Sequence, residues 1–240
     1  MLHLLLNEPL VQSLFWSFVT VFFYFFTKQA HRLWPVWWLT PIALTPILIG
    51  SVVLLLHANY QDYFQGTRWL VLLIGPVTVS FAIPIYEQRA LIREYWSILL
   101  VGVLVGSFIA LLSSWGLAWL LGLDENLRLS LLPRSISTPF ALVVSRGIGG
   151  TPDLTAIFVV LTGILGAIIG EFILARTHFN SALARGACLG AAAHAAGTAQ
   201  ARKMGNTEGA IASLIMILVG LFNVLVVPSI AYVLKLIQMN

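Results

Sequence analysis

The stretch PRSISTPFA, residues 133–141, determines the architecture of this chain because it interrupts an apolar segment of membrane-spanning character. Its two prolines, Pro133 and Pro139, are six residues apart. A regular helix does not accommodate both, since each proline removes a backbone donor and clashes with the preceding turn. An arginine and three hydroxyl residues accompany them. Hydrocarbon tolerates such a break only where it is buried in protein or lines a wet cavity, so the stretch predicts an interrupted helix inside a bundle.

A second polar break follows at AAAHAAGTAQA, residues 191–201. Small neighbours of His194 allow close backbone approach and leave room beside the imidazole. Each break exposes polar backbone that hydrocarbon does not satisfy, so both require a shared polar interior. We therefore expect the two breaks to face each other at similar depth, on helices that enter from opposite sides, and to form one site.

The composition predicts an all-α polytopic membrane protein, with residues 1–240 forming a single transmembrane domain. Hydrophobic residues make up 59% and charged residues only 9% of the 240 residues, whereas about a quarter of a soluble domain is charged. The basic residues are scattered singly between apolar spans, which is typical of topology signals and not of nucleic-acid binding. The first span has no basic region before it and no small-residue cleavage site after it, which predicts a retained span.

The hydropathy pattern predicts six full spans and two discontinuous or re-entrant helical segments. The spans are expected near residues 11–26, 37–57, 69–86, 96–122, 154–175 and 208–236, with a loop at 58–67 and broken segments at 129–146 and 186–201. Residues 1–58 are expected to form peripheral N-terminal spans.

Residues 96–153 and 154–210 are candidate units of an inverted repeat. Each has a glycine-bearing span, a polar break, basic residues and a glycine-containing turn. Paired interrupted helices in such repeats indicate a transporter binding site. If both breaks are re-entrant, eight of the twelve basic residues in the loops lie on one side of the membrane and four on the other. If both breaks cross the membrane fully, the division is seven and five. The positive-inside rule favours re-entrant segments by one residue, with the basic loops cytoplasmic, and leaves the crossing alternative open.

The two breaks supply the groups that bind a small anion. A half-helix N-terminus presents free N–H groups, an arginine can bind a carboxylate with two hydrogen bonds, and a histidine can exchange a coupled proton. Alternatively, the hydroxyls bond to their own helix, the arginine extends to the interface and the histidine only joins two helices. The candidate substrate-binding residues are Arg134, Ser135, Ser137, Thr138, His194, Gly197, Thr198 and Gln200, with structural breaks at Pro133, Pro139, Gly149 and Gly150.

Catalytic and metal-binding patterns are absent from the sequence. The single Cys188 excludes an internal disulfide, and no spacing of His, Cys, Asp or Glu predicts a metal site. No arrangement predicts a Ser-His-Asp triad, and no phosphate-binding loop predicts ATP-driven transport. We therefore expect neither an enzyme nor a cofactor.

Five ordered motifs resemble the LrgB/CidB family. They are SISTPFAL at 135–142, GIGGTPDLTA at 147–156, TGILGAIIG at 162–170, ARGACLGAAAHAAGTAQA at 184–201 and NTEGAIASL at 206–214. The resemblance covers roughly residues 60–236. This chain departs from the family pattern at Ala193, where the family usually has serine, and at Gln200, where it usually has arginine or another polar pattern.

The resemblance implies a multi-pass protein of the bacterial inner membrane, often encoded beside a smaller LrgA/CidA-type membrane partner. It implies a carrier for small monocarboxylates such as glycolate, lactate or pyruvate, because the plastid glycolate/glycerate translocator is a relative. The alternative it implies is an antiholin- or holin-like modulator of murein hydrolase activity and lysis. Expected partners are the lipid bilayer, the solute, the small membrane protein and further copies of the chain, since the Gly102–Gly106 GxxxG pair allows packing within or between chains.

Overall fold

A computed structural model describes residues 9–177, 179 and 181–238, and every regular element within them is helical. The predicted all-α class is confirmed. The helices are α1 (Pro9–Leu33), α2 (Pro41–Leu55), α3 (Tyr60–Leu72), α4 (Ile74–Ser80), α5 (Ala82–Glu87), α6 (Arg89–Leu120), α7 (Glu125–Leu131), α8 (Thr138–Ile148), α9 (Pro152–Arg176), α10 (Ala182–Met204) and α11 (Asn206–Gln238). Short 3-10 helices occupy Trp37–Leu39 and Leu132–Ser135. Residues 1–8 of the predicted N-terminal spans lie outside the described residues.

Five helical stretches among the described residues are long and apolar enough to cross a membrane, which identifies a multi-pass membrane protein. They are Leu10–Leu33, Tyr60–Glu87, Arg89–Leu120, Pro152–Arg176 and Asn206–Ser229. Helix α2, which lies in the span predicted near 37–57, has 15 residues, fewer than the roughly 20 that a bilayer requires. The count of six full spans therefore stays a prediction.

The loop predicted at 58–67 is wrong, because α3 already begins at Tyr60. The backbone N–H of Asn59 donates to Oδ2 of Asp62 at 3.2 Å, which stabilises the first turn as half of a capping box. The span predicted near 69–86 consists of parts of three successive helices. Pro76 and Pro84 each lie in the first turn of a new helix, where a proline costs no backbone hydrogen bond.

The chain forms two compact units, one extending to Val77 and one beginning at Thr78. The first unit packs around Trp16 on α1, which is only 3% exposed. The ring of Trp16 meets that of Tyr63 edge to face at 5.5 Å, and Gly66 lies against the same indole. The hydroxyls of Thr27 and Thr45 bond at 2.7 Å and join α1 to α2. These polar contacts are local to the unit, and the candidate site residues all lie in the second unit.

Helix α11 is the centre of the second unit. Ile211, Leu214 and Ile217 are each at most 2% exposed, and in lipid such side chains stabilise the fold through close van der Waals packing. Helix α10 approaches α11 closely through Gly190, where an added Cβ would lie 2.3 Å from the carbonyl oxygen of Ala212. Small residues at such contacts allow the backbone proximity that stabilises helix pairs in lipid.

Candidate functional site

The first break separates α7 from α8. Helix α7 ends at Leu131, a 3-10 turn covers Leu132–Ser135, and α8 begins at Thr138. Between them, Ile136 and Ser137 have extended backbones. Pro139 follows as the second residue of α8, a position where its missing N–H has no helical partner in any case. Regular helix is thus interrupted where the two prolines predict it.

The two ends of this segment lie side by side. Oγ1 of Thr151 donates to Oδ1 of Asn126, and the N–H of Thr151 donates to Oγ of Ser130, both at 2.8 Å. Gly149 ends α8 with φ of 91°, which glycine adopts without strain. Gly150 lies against the backbone N of Ser130. Residues 125–148 therefore run out and return, and we call them the first hairpin, with its tip at 132–137.

The second break is a reversal of α10 at a single residue. Before His194, Gly186 lies beside Ile211 and Gly190 beside Ala212, so this limb runs parallel to α11. After His194, Arg202 lies beside Gly209, so the chain runs back towards the start of α11. We call residues 182–204 the second hairpin.

The backbone of His194 has φ of 40° and ψ of −118°, a conformation that costs a non-glycine residue roughly 1–3 kcal/mol. Regular helix continues on both sides of it. The sequence predicted a polar break spread over residues 191–201. The structure corrects this to one residue, because helical hydrogen bonds satisfy the backbone of both limbs and leave only the tip irregular.

The two hairpins approach from opposite ends of α9 and meet at their tips. Thr155, near the start of α9, donates to Oγ of Ser145 on the first hairpin at 2.7 Å. Gly170, near its end, lies against Leu189 on the second. Nε2 of His194 lies 3.1 Å from the carbonyl oxygen of Arg134. A carbonyl only accepts, so Nε2 carries the proton. This bond joins the tips of the two hairpins, while their similar depth in the membrane and their shared site stay a prediction.

Arg134 brings a positive charge to the junction of the hairpins. Its Nε donates to Oγ of Ser114 on α6 at 2.8 Å, and that hydroxyl donates to the carbonyl oxygen of Ala110. In the part of the chain that the structure describes, the ion pair is Arg185 with Glu208, and no acidic side chain pairs with Arg134. An arginine at membrane depth without a counter-charge is costly. The guanidinium at the junction therefore lacks a counter-charge among the described residues.

Ser137 is the residue immediately before α8 and is only 4% exposed. Its Oγ has no hydrogen-bond partner among the described residues. Buried hydroxyls are normally bonded, and one left without a partner costs about 1–3 kcal/mol. In the first turn of α8, the N–H groups of Phe140 and Ala141 both donate to the carbonyl oxygen of Ser137, so the unsatisfied donor of Ser137 itself is its hydroxyl.

Replacing Ser137 with alanine is expected to leave the melting temperature unchanged or slightly raised, because no hydrogen bond is lost and a buried unsatisfied group is removed. Ser130→Ala is the matched control. It removes the acceptor of the Thr151 N–H and is expected to destabilise the protein by about 1 kcal/mol. Thermal unfolding of both variants in detergent measures the difference. A drop for Ser137→Ala as large as that for Ser130→Ala would show that Ser137 has a structural partner.

The remaining predicted residues differ from one another in their contacts. Thr198 is buried, and its hydroxyl donates to the carbonyl oxygen of His194, four residues earlier. This is the alternative in which a hydroxyl bonds to its own helix. Gly197 lies where an added Cβ would be 1.9 Å from the carbonyl oxygen of Leu189, so it allows the hairpin to close. Thr138 is the first residue of α8, and Gln200 is half-buried on the returning limb of the second hairpin.

A cleft beside the junction contains residues that the sequence analysis missed. It is narrow, with enclosed space for about one water molecule. Ser107, Leu132, Pro133, Ser135, Ala191 and Asn223 are among the residues that line it. Nδ2 of Asn223 on α11 donates to Oγ of Ser107 on α6 at 2.9 Å. A polar asparagine inside the apolar span 208–236 is the signal that could have identified this pair.

Comparisons with known proteins agree on one family. A model of a family described as LrgB-like matches residues 20–233. The chain is 36% identical over 211 residues to YwbG of Bacillus subtilis (strain 168), covering 88% of this chain and 94% of that protein, which is described as uncharacterized. It is 32% identical over 218 residues to the holin-like protein CidB of Staphylococcus aureus (strain Mu50), covering 91% and 95%. No solved structure matches the chain.

Proposed function

This chain belongs to the LrgB-like family, and from that premise we propose that it is a secondary carrier for small monocarboxylates such as glycolate, lactate or pyruvate. The observation that carries the proposal is the charge at the junction of the hairpins. Arg134 has no acidic partner among the described residues, and the Oγ of Ser137 in the same tip has no protein partner there either. A carboxylate supplies what both lack, since it accepts charge-assisted hydrogen bonds.

The architecture proposed for this carrier is an inverted repeat with re-entrant segments. Helix α6 and the first hairpin form one unit, and helix α9 and the second hairpin form the other. The support is that the hairpins lie at opposite ends of α9, so that an alternating opening on each side can expose the same central site. Interrupted helices at such a site supply the dipoles and free backbone groups that bind ions at membrane depth.

His194 is proposed to couple transport to protons. Its Nε2 donates to the carbonyl of Arg134, so Nδ1 of the neutral ring is the nitrogen that can accept a proton. A protonated imidazole adds a second positive charge at the junction and strengthens anion binding. Thr138 and Gln200 are proposed as further donors along the path of the solute. Thr198 is proposed to line the same path as an acceptor, because its hydroxyl hydrogen bonds the carbonyl oxygen of His194.

Uptake into proteoliposomes tests the carrier directly. Labelled lactate, glycolate and pyruvate are offered with and without an inward proton gradient, and with and without a co-reconstituted LrgA/CidA-type protein. We expect uptake above that of empty liposomes, enhanced by the gradient. Uptake equal to that of empty liposomes under all four conditions would contradict the proposal.

A second candidate function is a holin-like modulator of murein hydrolase activity and lysis that acts with a small LrgA/CidA-type partner in the bacterial inner membrane. The name of the staphylococcal relatives, holin-like protein CidB, favours it, and the comparisons support it better than they support the carrier. Such a protein acts through assembly, with no need for a central anion site.

A lysis assay with two kinds of variant separates these functions. Ser137→Ala changes the central site, and Leu112→Ala changes a side chain that is 66% exposed on α6. If transport underlies the lysis phenotype, Ser137→Ala abolishes it and Leu112→Ala does not. A phenotype that responds to exposed apolar positions while Ser137→Ala is silent favours assembly.

A further inference from the structure

The two hairpins are held in place by different kinds of packing. Helix α8, the returning limb of the first hairpin, is fixed by large side chains. The ring of Phe140 fills the space beside Gly220 of α11, where an added Cβ would overlap the ring. The other apolar residues of this hairpin that are at most 4% exposed are Ile136, Ala141, Val144 and Ile148. They share one core with α11, and side chains interlocked in this way separate only by repacking.

The second hairpin presents a smoother surface to its neighbours. All of its residues, 182–204, are described, and the buried ones are Gly186, Leu189, Gly190, Ala193, His194, Gly197, Thr198 and Ala201. Leu189 is the large aliphatic side chain in this set. Small residues allow close approach of helices with little side-chain packing between them. This hairpin can therefore separate from its neighbours with less repacking than the first hairpin requires.

The mouth of the second hairpin, where its two limbs end, is fixed by charge. Nη2 of Arg185 forms an ion pair with Oε1 of Glu208 at the start of α11, and Nη1 donates to the carbonyl oxygen of Phe179 at 3.3 Å. The side chain of Glu208 is only 8% exposed, and breaking such a pair leaves an uncompensated buried charge. The adjacent Gly186 lies against the carbonyl oxygen of Glu208. The mouth therefore stays attached to α11.

The tip of the second hairpin is held more weakly than its mouth. Nε2 of His194 donates to the carbonyl oxygen of Arg134 at 3.1 Å. Oγ1 of Thr198 lies 3.9 Å from the sulfur of Met216, but its hydrogen bonds the carbonyl oxygen of His194 within the hairpin. Hydrogen bonds between neutral groups are weaker than those between charged groups. The tip therefore opens more easily than the mouth.

We infer that the second hairpin is the moving gate of the site, which pivots at its mouth and opens at its tip. The inference rests on the proposed carrier function and identifies the element that moves. Opening separates His194 from Arg134 and gives the solute a route to the tip of the first hairpin. The first hairpin moves only together with α11, because their side chains interlock.

A disulfide between the tip and α9 tests this motion. A Cβ on Gly163 would lie 3.6 Å from the Cβ of Ala196, and disulfides join Cβ atoms about 3.5–4.5 Å apart. The tip variant combines Gly163→Cys and Ala196→Cys with Cys188→Ser, which removes the single native thiol. It is expected to take up lactate in proteoliposomes when reduced and to lose nearly all uptake when oxidised. Loss of free thiols measures disulfide formation, and a reductant is expected to restore uptake.

The matched control ties the first hairpin to α11. A Cβ on Gly147 would lie 3.4 Å from the Cβ of Pro228, so Gly147→Cys with Pro228→Cys can form a disulfide in the same Cys188→Ser chain. Uptake is expected to be equal in the oxidised and reduced protein, since these two elements move as one body. Full uptake by the oxidised tip variant, or equal losses in the tip variant and the control, would overturn the gate and leave the carrier standing.

Labelling of buried positions tests the gate without measuring transport. Thr198→Cys places a thiol near the tip of the second hairpin, and Val144→Cys places one on the first, each in the Cys188→Ser chain. The native side chains are 7% and 0% exposed, and cysteine is smaller than either, so neither variant is overpacked. A water-soluble maleimide is expected to react with Thr198→Cys at least about tenfold faster, because access requires local opening and not unfolding.

The labelling result separates failure of the gate from failure of the carrier. Equal rates for Thr198→Cys and Val144→Cys would overturn the inference whatever the uptake. Faster labelling of Thr198→Cys, in a protein whose wild type shows no uptake, would keep the moving hairpin and reject the carrier.

Discussion

Replacing Arg134 with glutamine is expected to reduce the uptake of every transported monocarboxylate by at least about tenfold. The guanidinium has no acidic partner among the described residues, so a bound carboxylate is its counter-ion in the proposed mechanism. Arg134 is half-buried, and loss of a hydrogen bond to a charged group costs about 1.5–3 kcal/mol, which corresponds to a factor of roughly ten or more. Initial rates in proteoliposomes measure the effect.

Arg146→Gln is the matched control for this substitution. Arg146 lies on the same hairpin, in the last turn of α8, and is exposed. The change removes the same charge from the chain without removing it from the junction. We expect nearly wild-type uptake. Equal losses in the two variants would indicate that Arg134 acts through overall charge or topology, and an unchanged rate in Arg134→Gln would remove the anion site from the mechanism.

Ser114→Ala tests how the arginine is positioned. The Oγ of Ser114 accepts from Nε of Arg134, so the substitution leaves the charge in place and removes one of its anchors. A loss smaller than that of Arg134→Gln, seen mainly as weaker apparent affinity for the acid, is expected for a positioning residue. This graded result distinguishes a solute-binding arginine from one that only ties the first hairpin to α6.

The sequence was most informative where a local constraint is strict. Pro133 and Pro139 exclude a continuous helix whatever surrounds them, so the end of α7 and the start of α8 could be predicted. The meeting of the two breaks followed from a general argument, that polar backbone in hydrocarbon requires a shared interior. Gly149 was predicted as a structural break, and it ends α8 with φ of 91°.

Features that depend on distant contacts could not be predicted. A histidine rarely adopts positive φ, and only the tertiary contacts of the second hairpin hold His194 there. The bond between Ser107 and Asn223 joins two spans, and no local sequence pattern predicts how those two spans lie against each other. The start of α3 is a different case, because the Asn59–Asp62 spacing in the sequence is a local signal for the first turn of a helix.

The proposed carrier and the second candidate function place different demands on the second hairpin. A carrier requires the tip at His194 to meet Arg134 with defined geometry, so a change that opens the hairpin abolishes transport. An assembly that acts through its exposed apolar surface tolerates an altered interior as long as the helices stay in the membrane. A substitution inside the hairpin therefore has diagnostic value.

Gly197→Ala is expected to open the second hairpin and to destabilise the protein strongly. The added Cβ would lie 1.9 Å from the carbonyl oxygen of Leu189, which belongs to the backbone of the other limb and cannot rotate away. Overpacking of this kind costs about 3 kcal/mol or more. The bond between His194 and Arg134 is then lost with the geometry of the tip. Thermal unfolding in detergent and uptake in proteoliposomes are both expected to fall sharply.

Gly102→Ala is the control that separates this effect from the general consequences of replacing glycine. Gly102 lies in α6, and an added Cβ there meets nothing within 4 Å. Alanine favours a helix over glycine by up to about 1 kcal/mol, so this variant is expected to be as stable as the wild type or slightly more stable. The same substitution thus has opposite signs at the two positions, because only Gly197 lies against a second backbone. A melting temperature of Gly197→Ala equal to that of Gly102→Ala would mean that the two limbs are not in contact, and the junction of the hairpins would lose its structural basis.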